Sequence, residues 1–216
     1  MASKNKFKTI KPKNMFTGQF DTDRYIADYF SPDFVGTCID VGSAQPVNGN
    51  NSYYFERRGW TVYCIEPNPA HMPALRANRK HVYNFACGNT DIDEIEFTLC
   101  TLQGGNQEAI SSLKIDERLL KDHAIYNPTL STIKVPVKTL NTFISEVGIA
   151  TIDLMSIDTE GTELDVLKGF DIAKYKPKLM VIENNYNEPY IEEYLKDYGY
   201  IKHNRVMVND FYLINS

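Results

Sequence analysis

Short apolar segments typical of β-strands alternate along this chain with amphipathic helical segments, and this alternation restricts the possible folds more than any other feature. Near the start, the strand-like runs TCIDV and WTVYCIE flank the segment NSYYFERRG, which is typical of a helix that ends at Gly59. Parallel strands joined by a helix require a right-handed crossover, whereas antiparallel neighbours need only a short turn. The sequence therefore predicts an α/β fold with a mostly parallel sheet.

The same alternation continues along most of the chain. Further helices are predicted at DTDRYIADYF, MPALRANR, ELDVLKGF and PYIEEYLKDYG, and further strands at HVYNFA, IDLMSID and KLMVIEN. The terminal runs YIKHN and DFYLIN are close enough in sequence to form a hairpin, which predicts an antiparallel edge strand.

The middle of the chain departs from this alternation. EIEFTLC and STIKVPVKTL are β-like, with no convincing crossover helix between them, and residues 101–131 are mostly polar. A long polar insertion in a compact domain often covers a site. We therefore predict a β-rich insertion in which residues 101–131 cover the substrate. At 216 residues the chain fits one domain, predicted at residues 16–216 behind a basic, flexible tail at residues 1–15.

Bulk composition limits the classes of partner. The net charge of −5 disfavours a protein that wraps duplex nucleic acid. No apolar run resembles a signal peptide or approaches the roughly 20 residues that span a bilayer, so we predict a cytoplasmic protein without a membrane segment. The four cysteines lack paired C-x-x-C spacing and are predicted to be buried free thiols. The sequence contains no signal for an oligomeric state.

Residues 40–52 follow the first strand, where open α/β sheets bind their ligands. Gly42 allows a ligand to approach the backbone closely, and the next helix begins near Asn51 and Ser52, where free amides attract a carboxylate or phosphate. Glu66 ends the second strand, where a carboxylate can accept hydrogen bonds from ribose hydroxyls. The alternative is that Asp40 and Glu66 make turn contacts only.

The composition of this loop discriminates between two classes of nucleotide ligand. VGSAQPVNG lacks the G-x-G-x-x-G spacing that admits the pyrophosphate of a nicotinamide dinucleotide. A nucleoside without phosphates, such as S-adenosylmethionine, tolerates a more polar loop. The loop therefore favours a methyl donor.

Several motifs occur in an order that resembles the FkbM-type methyltransferases. The motifs are GQFDTDRYIADYF, IDVGS, NNSYYFERRGW, CIEPNP, NFACGN, ISSL and SIDTEGTELDVLKGF. The most specific of them is the Asp-x-Glu-Gly-x-Glu element formed by Asp158, Glu160, Gly161 and Glu163. The AQPVNG loop departs from the family because it is longer than the usual short turn.

The resemblance implies a Rossmann-like class I methyltransferase with a seven-stranded sheet and S-adenosylmethionine as cofactor. It also implies O-methylation of a hydroxyl group on a sugar or another small molecule. By residue-level match, it implies donor contacts around the methionine part from Asp40, Gly42 and Ser43, on the ribose from Glu66, and around the adenosine from Asn68 and Ala86.

The catalytic prediction concerns the ends of two later strands. Asp158 ends LMSID and Glu183 ends LMVIE, so both carboxylates face the same crevice if these strands are neighbours. Together with the amide oxygen of Asn184 they form a candidate Mg²⁺ site. In the competing interpretation Asp158 or Glu183 is a metal-free general base and Glu160 fixes the strand-to-helix turn. A third interpretation assigns Glu160 and Glu163 to capping of helix amides.

Two further interpretations remain open. His123, in the insertion, is a candidate base brought over the site, although a lone histidine is more often a packing residue. The chain could also methylate RNA ribose, with tail lysines on phosphates, or act as a non-catalytic nucleoside-binding module.

Overall fold

The computed structural model describes residues 16–104 and 110–215. The predicted basic tail at residues 1–15 lies outside the described residues. The strands are β1 (Thr37–Val41), β2 (Thr61–Ile65), β3 (His81–Tyr83), β4 (Ala86–Cys87), β5 (Ile92–Thr101), β6 (Thr129–Lys138), β7 (Leu154–Ile157), β8 (Leu179–Glu183), β9 (Tyr200–Val206) and β10 (Asn209–Ile214). The α-helices are α1 (Thr22–Ala27), α2 (Tyr53–Arg57), α3 (Met72–Asn78), α4 (Glu117–Asp122), α5 (Leu140–Val147), α6 (Glu163–Lys168), α7 (Ile172–Tyr175) and α8 (Tyr190–Lys196).

The larger sheet has the strand order β3-β2-β1-β7-β8-β10-β9. Strands β3, β2, β1, β7 and β8 pair in parallel, and β10 pairs antiparallel with both of its neighbours. A mixed α/β fold with a large, mostly parallel sheet is therefore confirmed. The predicted terminal hairpin is present, but the antiparallel strand is β10, one position inside the edge. The reason is that β9 takes the outer position and the hairpin returns β10 between β8 and β9.

A smaller sheet with the order β4-β6-β5 lies apart from the main one. Strands β5 and β6 pair antiparallel along most of their length, and β4 pairs in parallel with β6. The predicted strand HVYNFA is divided between the two sheets, with β3 in the large sheet and β4 in the small one. Between them, the Asn84 side chain donates to the carbonyls of Glu66 and Pro67 at 2.8 and 2.9 Å, which ties the chain to the end of β2.

Helix α5 connects the small sheet back to β7 and was missed in the sequence. Its local signals are clear, since the Thr139 hydroxyl accepts from the amide of Thr142 and Gly148 ends the helix in the left-handed conformation. Leu140 and Phe143 are buried on its inner face. The helix therefore supplies the crossover that the predicted β-rich middle lacked.

Helices cover both faces of the large sheet, as expected for parallel strands. One core cluster joins inward residues of β1 and β7 to α5, α6 and α8. The opposite cluster packs Ile26 of α1 and Phe55 of α2 around Trp60. Because successive strand residues point to opposite faces, Ile39 lies in the first cluster and Cys38 in the second.

Candidate active site

The carboxyl ends of the central parallel strands surround a cleft. Strands β1 and β7 are neighbours, and the chain leaves β1 towards β2 but leaves β7 towards β8. Such a reversal opens a crevice at the strand ends where α/β proteins bind ligands. Gly42 follows β1, Glu66 follows β2, Asp158 follows β7 and Glu183 ends β8. The fold therefore brings these four positions to one edge of the sheet.

The cleft has an empty volume of about 600 Å³, part of it open to solvent, which is within the range of ligand pockets. Four of the predicted donor-binding residues line it, namely Gly42, Glu66, Asn68 and Ala86. Asp158 and Glu160 line the side formed by β7, and the small sheet contributes apolar side chains such as Phe97. The cleft thus combines a carboxylate-rich wall with an apolar one.

Gly42 is required by the backbone around it. Its φ of +81° lies in the left-handed region, and a Cβ at this position would lie 1.7 Å from the carbonyl oxygen of Asp158. The glycine therefore lets the ends of β1 and β7 approach each other, whether or not a ligand is bound.

Glu66 is held rigidly at the end of β2. Its carboxylate accepts from the amides of Ala44 and Asn68, each at 2.8 Å, and the side chain is buried. Burial raises the pKa of Glu66 to about 7, against the lowering effect of these two hydrogen bonds. Each oxygen retains a second lone pair that can accept from a ligand hydroxyl.

The other predicted donor contacts from the first loop form a buried network. One oxygen of Asp40 accepts from Ser43 Oγ at 3.0 Å, Asn50 Nδ2 at 2.9 Å and Ser52 Oγ at 2.8 Å. None of these four side chains lines the cleft. The structure thus uses them to fold the loop, and their contact with a donor stays a prediction.

Arg79, at the end of α3, anchors this network and was not identified in the sequence. Its guanidinium donates to Glu56 at 2.6 Å, Asn50 at 3.0 Å and Ser52 at 2.7 Å, and both members of the Arg79–Glu56 ion pair are buried. Asn51, at the helix start predicted to attract a carboxylate or phosphate, has its side chain beside Gly18, since a Cβ at Gly18 would be 2.7 Å from Asn51 Oδ1; its contact with a ligand stays a prediction.

Three carboxylates meet on the β7–β8 side of the cleft. Asp158, Glu160 and Glu183 each offer an oxygen that lies within 4.8 Å of the other two. Burial raises the pKa of all three, and repulsion from neighbouring carboxylates raises each further; for Asp158 the pKa reaches about 7. Of the predicted catalytic residues, the structure therefore brings all three together.

The residues of the cleft fall within a recognised protein domain. The model of the Methyltransferase FkbM domain matches residues 40–202, a span that includes every cleft residue named above. The chain belongs to the FkbM methyltransferase family. This confirms the resemblance inferred from its motifs and supports a methyltransferase. No curated protein and no solved structure matched the chain.

The Asp-x-Glu-Gly-x-Glu element of this FkbM domain is a strand-to-helix turn with two separate functions. Glu163 Oε1 accepts from the amides of Thr159 and Gly161, each at 3.0 Å, and so stabilises the turn before α6. Glu160 has a φ of +57°, an uncommon conformation for a residue with a side chain. The turn contacts predicted for Glu160 are made by Glu163, and Glu160 lines the cleft.

Asn184, the predicted third metal ligand, has other partners in the FkbM domain. Its amide nitrogen donates to Glu188 O and to Asp210 Oδ2, each at 2.9 Å, and its oxygen accepts from the amide of Glu188 at 2.9 Å. The side chain therefore organises the start of the loop before α8. Glu160 takes the place beside Asp158 and Glu183 that the sequence assigned to Asn184.

The structure places His71 rather than His123 at the cleft, where His71 is one of the lining residues. His123 directly follows α4, and its Nδ1 lies 2.9 Å from the carbonyl oxygen of Leu119. It does not line the cleft, so its predicted catalytic role has no geometric support.

The predicted cover segment reaches the active-site turn. Ser112 Oγ donates to the carbonyl of Thr159 at 3.0 Å. Arg118 of α4 pairs with Glu188 and lies 4.0 Å from the ring centroid of Tyr186. Residues 110–126 are thereby linked to both the β7–α6 turn and the β8–α8 loop. Within the described ranges, no helix combines the length and apolar character needed to cross a membrane.

Proposed function

We propose that this FkbM-family protein is an S-adenosylmethionine-dependent O-methyltransferase with a Rossmann-like class I fold, acting on a hydroxyl group of a sugar or another small molecule. One observation carries the proposal. The cleft lies where the strand order reverses, and two sets of carboxylates border it. Glu66 is suited to hydrogen-bond ribose hydroxyls, and the cluster of Asp158, Glu160 and Glu183 is suited to a positively charged group such as a sulfonium.

The residues that line the cleft suit the chemical groups of the donor. The free lone pairs of Glu66 can accept from both ribose hydroxyls, while apolar residues such as Phe85 and Phe97 border the space for adenine. The sulfonium group of the donor carries a positive charge, which Asp158 and Glu160 attract. A phosphate-bearing dinucleotide would instead bring negative charge to an acidic wall.

Methyl transfer places simple demands on the protein. The acceptor oxygen forms a bond to the methyl carbon while the carbon–sulfur bond breaks, and the bonding electron pair goes to sulfur. The hydroxyl proton must also leave, and Asp158 or Glu183 would accept it, since their carboxylates lie close together at the ends of β7 and β8. The raised pKa of Asp158 brings it near the neutral range in which a general base is most effective.

A second recess supports a small, polar acceptor. It is lined by Glu183, Tyr186, Tyr190 and Arg118, together with further amide and carboxylate side chains. Aromatic rings offer stacking surfaces, and the polar groups can bind hydroxyls. The predicted cover, which includes Arg118, would then close over this recess.

Titration calorimetry tests the donor proposal. The wild-type protein should bind S-adenosylmethionine, and Glu66→Ala should weaken binding by about tenfold or more because hydrogen bonds to a charged group contribute roughly 1.5–3 kcal/mol. Glu94→Ala, which removes an exposed carboxylate from β5, is the matched control. Preferential binding of NAD, or equal donor affinity in Glu66→Ala, would contradict the proposal.

A radiolabelled methyl group tests catalysis. Incubation with a panel of sugars and hydroxylated small molecules should transfer label to at least one acceptor, and Asp158→Asn or Glu183→Gln should lower kcat far more than donor affinity. Donor binding without transfer to any member would favour the non-catalytic module. Label in RNA alone would favour the ribose alternative.

A further inference from the structure

The cluster of Asp158, Glu160 and Glu183 gathers three acidic side chains that have no ion-pair partner among the described residues. Glu183 is 4% exposed, and its Oε2 atom is buried without a hydrogen-bond partner among the described residues. Leaving a buried carboxylate oxygen without a partner is costly. This oxygen can be satisfied in two ways, by a proton shared with the neighbouring carboxyl group of Asp158 or by a metal ion.

No cationic side chain in residues 16–104 and 110–215 forms an ion pair with this cluster. Glu163, the next carboxylate along the turn, adds to the negative potential, although its own Oε1 is satisfied by backbone amides. Carboxylates this close repel each other strongly away from water. The repulsion is relieved when a proton or a metal ion lies between them.

The backbone conformation at the cluster is of a kind found at functional sites. Glu160 is held in the left-handed conformation at φ +57°, and strained backbone of this kind concentrates at functional sites. The three carboxylates come from two neighbouring strands and one turn, so they face a common point from different directions. Oxygen ligands on one side of an open cleft leave the remaining coordination positions to water or to a substrate oxygen.

We propose that Asp158, Glu160 and Glu183 bind one divalent cation of the hard, oxygen-seeking class, such as Mg²⁺ or Mn²⁺. The three ligand oxygens already lie within 4.8 Å of one another, a spacing that a small shift of side chains would bring around one ion. Asn184 is not a ligand, because its side chain is engaged with Glu188 and Asp210. Any role of the ion in methyl transfer rests on the proposed function, whereas its binding does not.

Electron paramagnetic resonance with Mn²⁺ as probe tests the site without donor, acceptor or turnover. The full-length protein, first treated with chelator and then desalted, should bind one Mn²⁺ per chain, and excess Mg²⁺ should displace it. Glu160→Gln and Glu183→Gln should each weaken Mn²⁺ binding by more than about tenfold, since even residues behind metal ligands have effects of this size. Glu94→Gln, which changes an exposed carboxylate of β5 outside the cluster and the recess, should bind Mn²⁺ as the wild type does.

Thermal unfolding of each variant would confirm that it folds, and donor calorimetry on the same samples separates the two proposals. Absence of Mn²⁺ binding at millimolar concentration would overturn the cation site, as would equal binding in Glu183→Gln, and the carboxyl groups would then share protons instead. If the wild-type protein binds Mn²⁺ but does not bind S-adenosylmethionine, the methyltransferase proposal is contradicted and the cation site stands.

Discussion

The cost of replacing a glycine in this chain depends on the atoms around it as well as on its backbone conformation. Gly42 and Gly199 both adopt a φ near +80°, yet a Cβ at Gly42 would collide with the backbone of Asp158, whereas nothing lies within 4 Å of a Cβ at Gly199. The same residue type at the same φ is therefore a close contact in one place and a simple turn in the other.

Replacing these two glycines separates the two contributions. Gly199→Ala should lower the free energy of unfolding by about 1–2 kcal/mol, the cost of the left-handed conformation alone. Gly42→Ala should cost more than about 3 kcal/mol, because β1 and β7 must also move apart. Urea denaturation of both variants measures the difference. Equal losses of unfolding free energy would show that the close contact between Gly42 and Asp158 adds no cost.

Glu66 should make folding stability depend on pH. Its pKa is about 7 in the folded chain and near its ordinary value of 4.5 in the unfolded chain. Between these values the folded state holds the proton more tightly, so the contribution of Glu66 to stability is present below pH 4.5 and is lost as the pH rises towards 7. The total loss is roughly 3 kcal/mol at most.

The measurement is the free energy of unfolding of the donor-free protein across this pH range. Other buried carboxylates contribute in the same direction, so the comparison is between the wild type and Glu66→Gln, whose stability should fall less steeply from pH 4.5 to 7. Parallel pH profiles would show that Glu66 does not retain the proton.

At the scale of elements, two segments that the sequence marks only as loops are positioned by contacts with distant parts of the chain. The first loop, residues 42–52, is folded around Asp40 and Arg79. The insertion contacts the active-site turn through Ser112 and the β8–α8 loop through Arg118. Neither arrangement follows from periodicity, because the partners are far away in sequence.

The Arg79–Glu56 ion pair should be the main support of the first loop. Arg79→Met leaves Glu56 buried and unpaired, which should cost about 3–5 kcal/mol, and Arg79→Met with Glu56→Gln should recover part of that loss. Chemical denaturation of the two single variants and the double variant gives the coupling energy. Strictly additive losses would contradict a paired role.

The insertion should behave as a cover. Amide hydrogens of residues 110–126 should exchange faster than those of β8 in the free protein, and should slow when S-adenosylhomocysteine is bound. Mass spectrometry after proteolysis resolves the two segments. Protection equal to that of β8 in both states would identify a fixed structural element.

At the scale of the whole molecule, the core isolates the four cysteines from solvent. All four are free and buried, as predicted from their spacing. Burial raises the pKa of each thiol, to about 12 for Cys64, so the reactive thiolate is scarce near neutral pH.

A disulfide reagent such as dithiobis(nitrobenzoic acid) should therefore react slowly with the native protein and rapidly with four thiols per chain in concentrated guanidinium chloride. Absorbance of the released thiolate gives both the rate and the count. Rapid reaction of one thiol in the native state would reveal local opening at that position, and mass spectrometry would identify it.

The sequence by itself determined the alternation of strands and helices, the strand-end positions of Glu66, Asp158 and Glu183, and membership of the FkbM family. These features are local, because hydrophobic period and turn residues act within a few positions of the chain. Helix α5 has local signals too, but it was missed in the sequence. Its apolar residues Leu140 and Phe143 come directly after β6, so they resemble a continuation of that strand.

Only the tertiary structure decided which polar side chains face the cleft. Asp40, Asn184 and Glu160 all lie at or near strand ends. Asp40 bonds to Ser52 and Asn184 bonds to Asp210, so neither side chain faces the cleft. The side chain of Glu160 lies beside Asp158. A buried polar group is held by whichever partners complete its hydrogen bonds, and those partners come from distant segments. His71, at the start of α3, also lines the cleft, which its position in the sequence did not reveal.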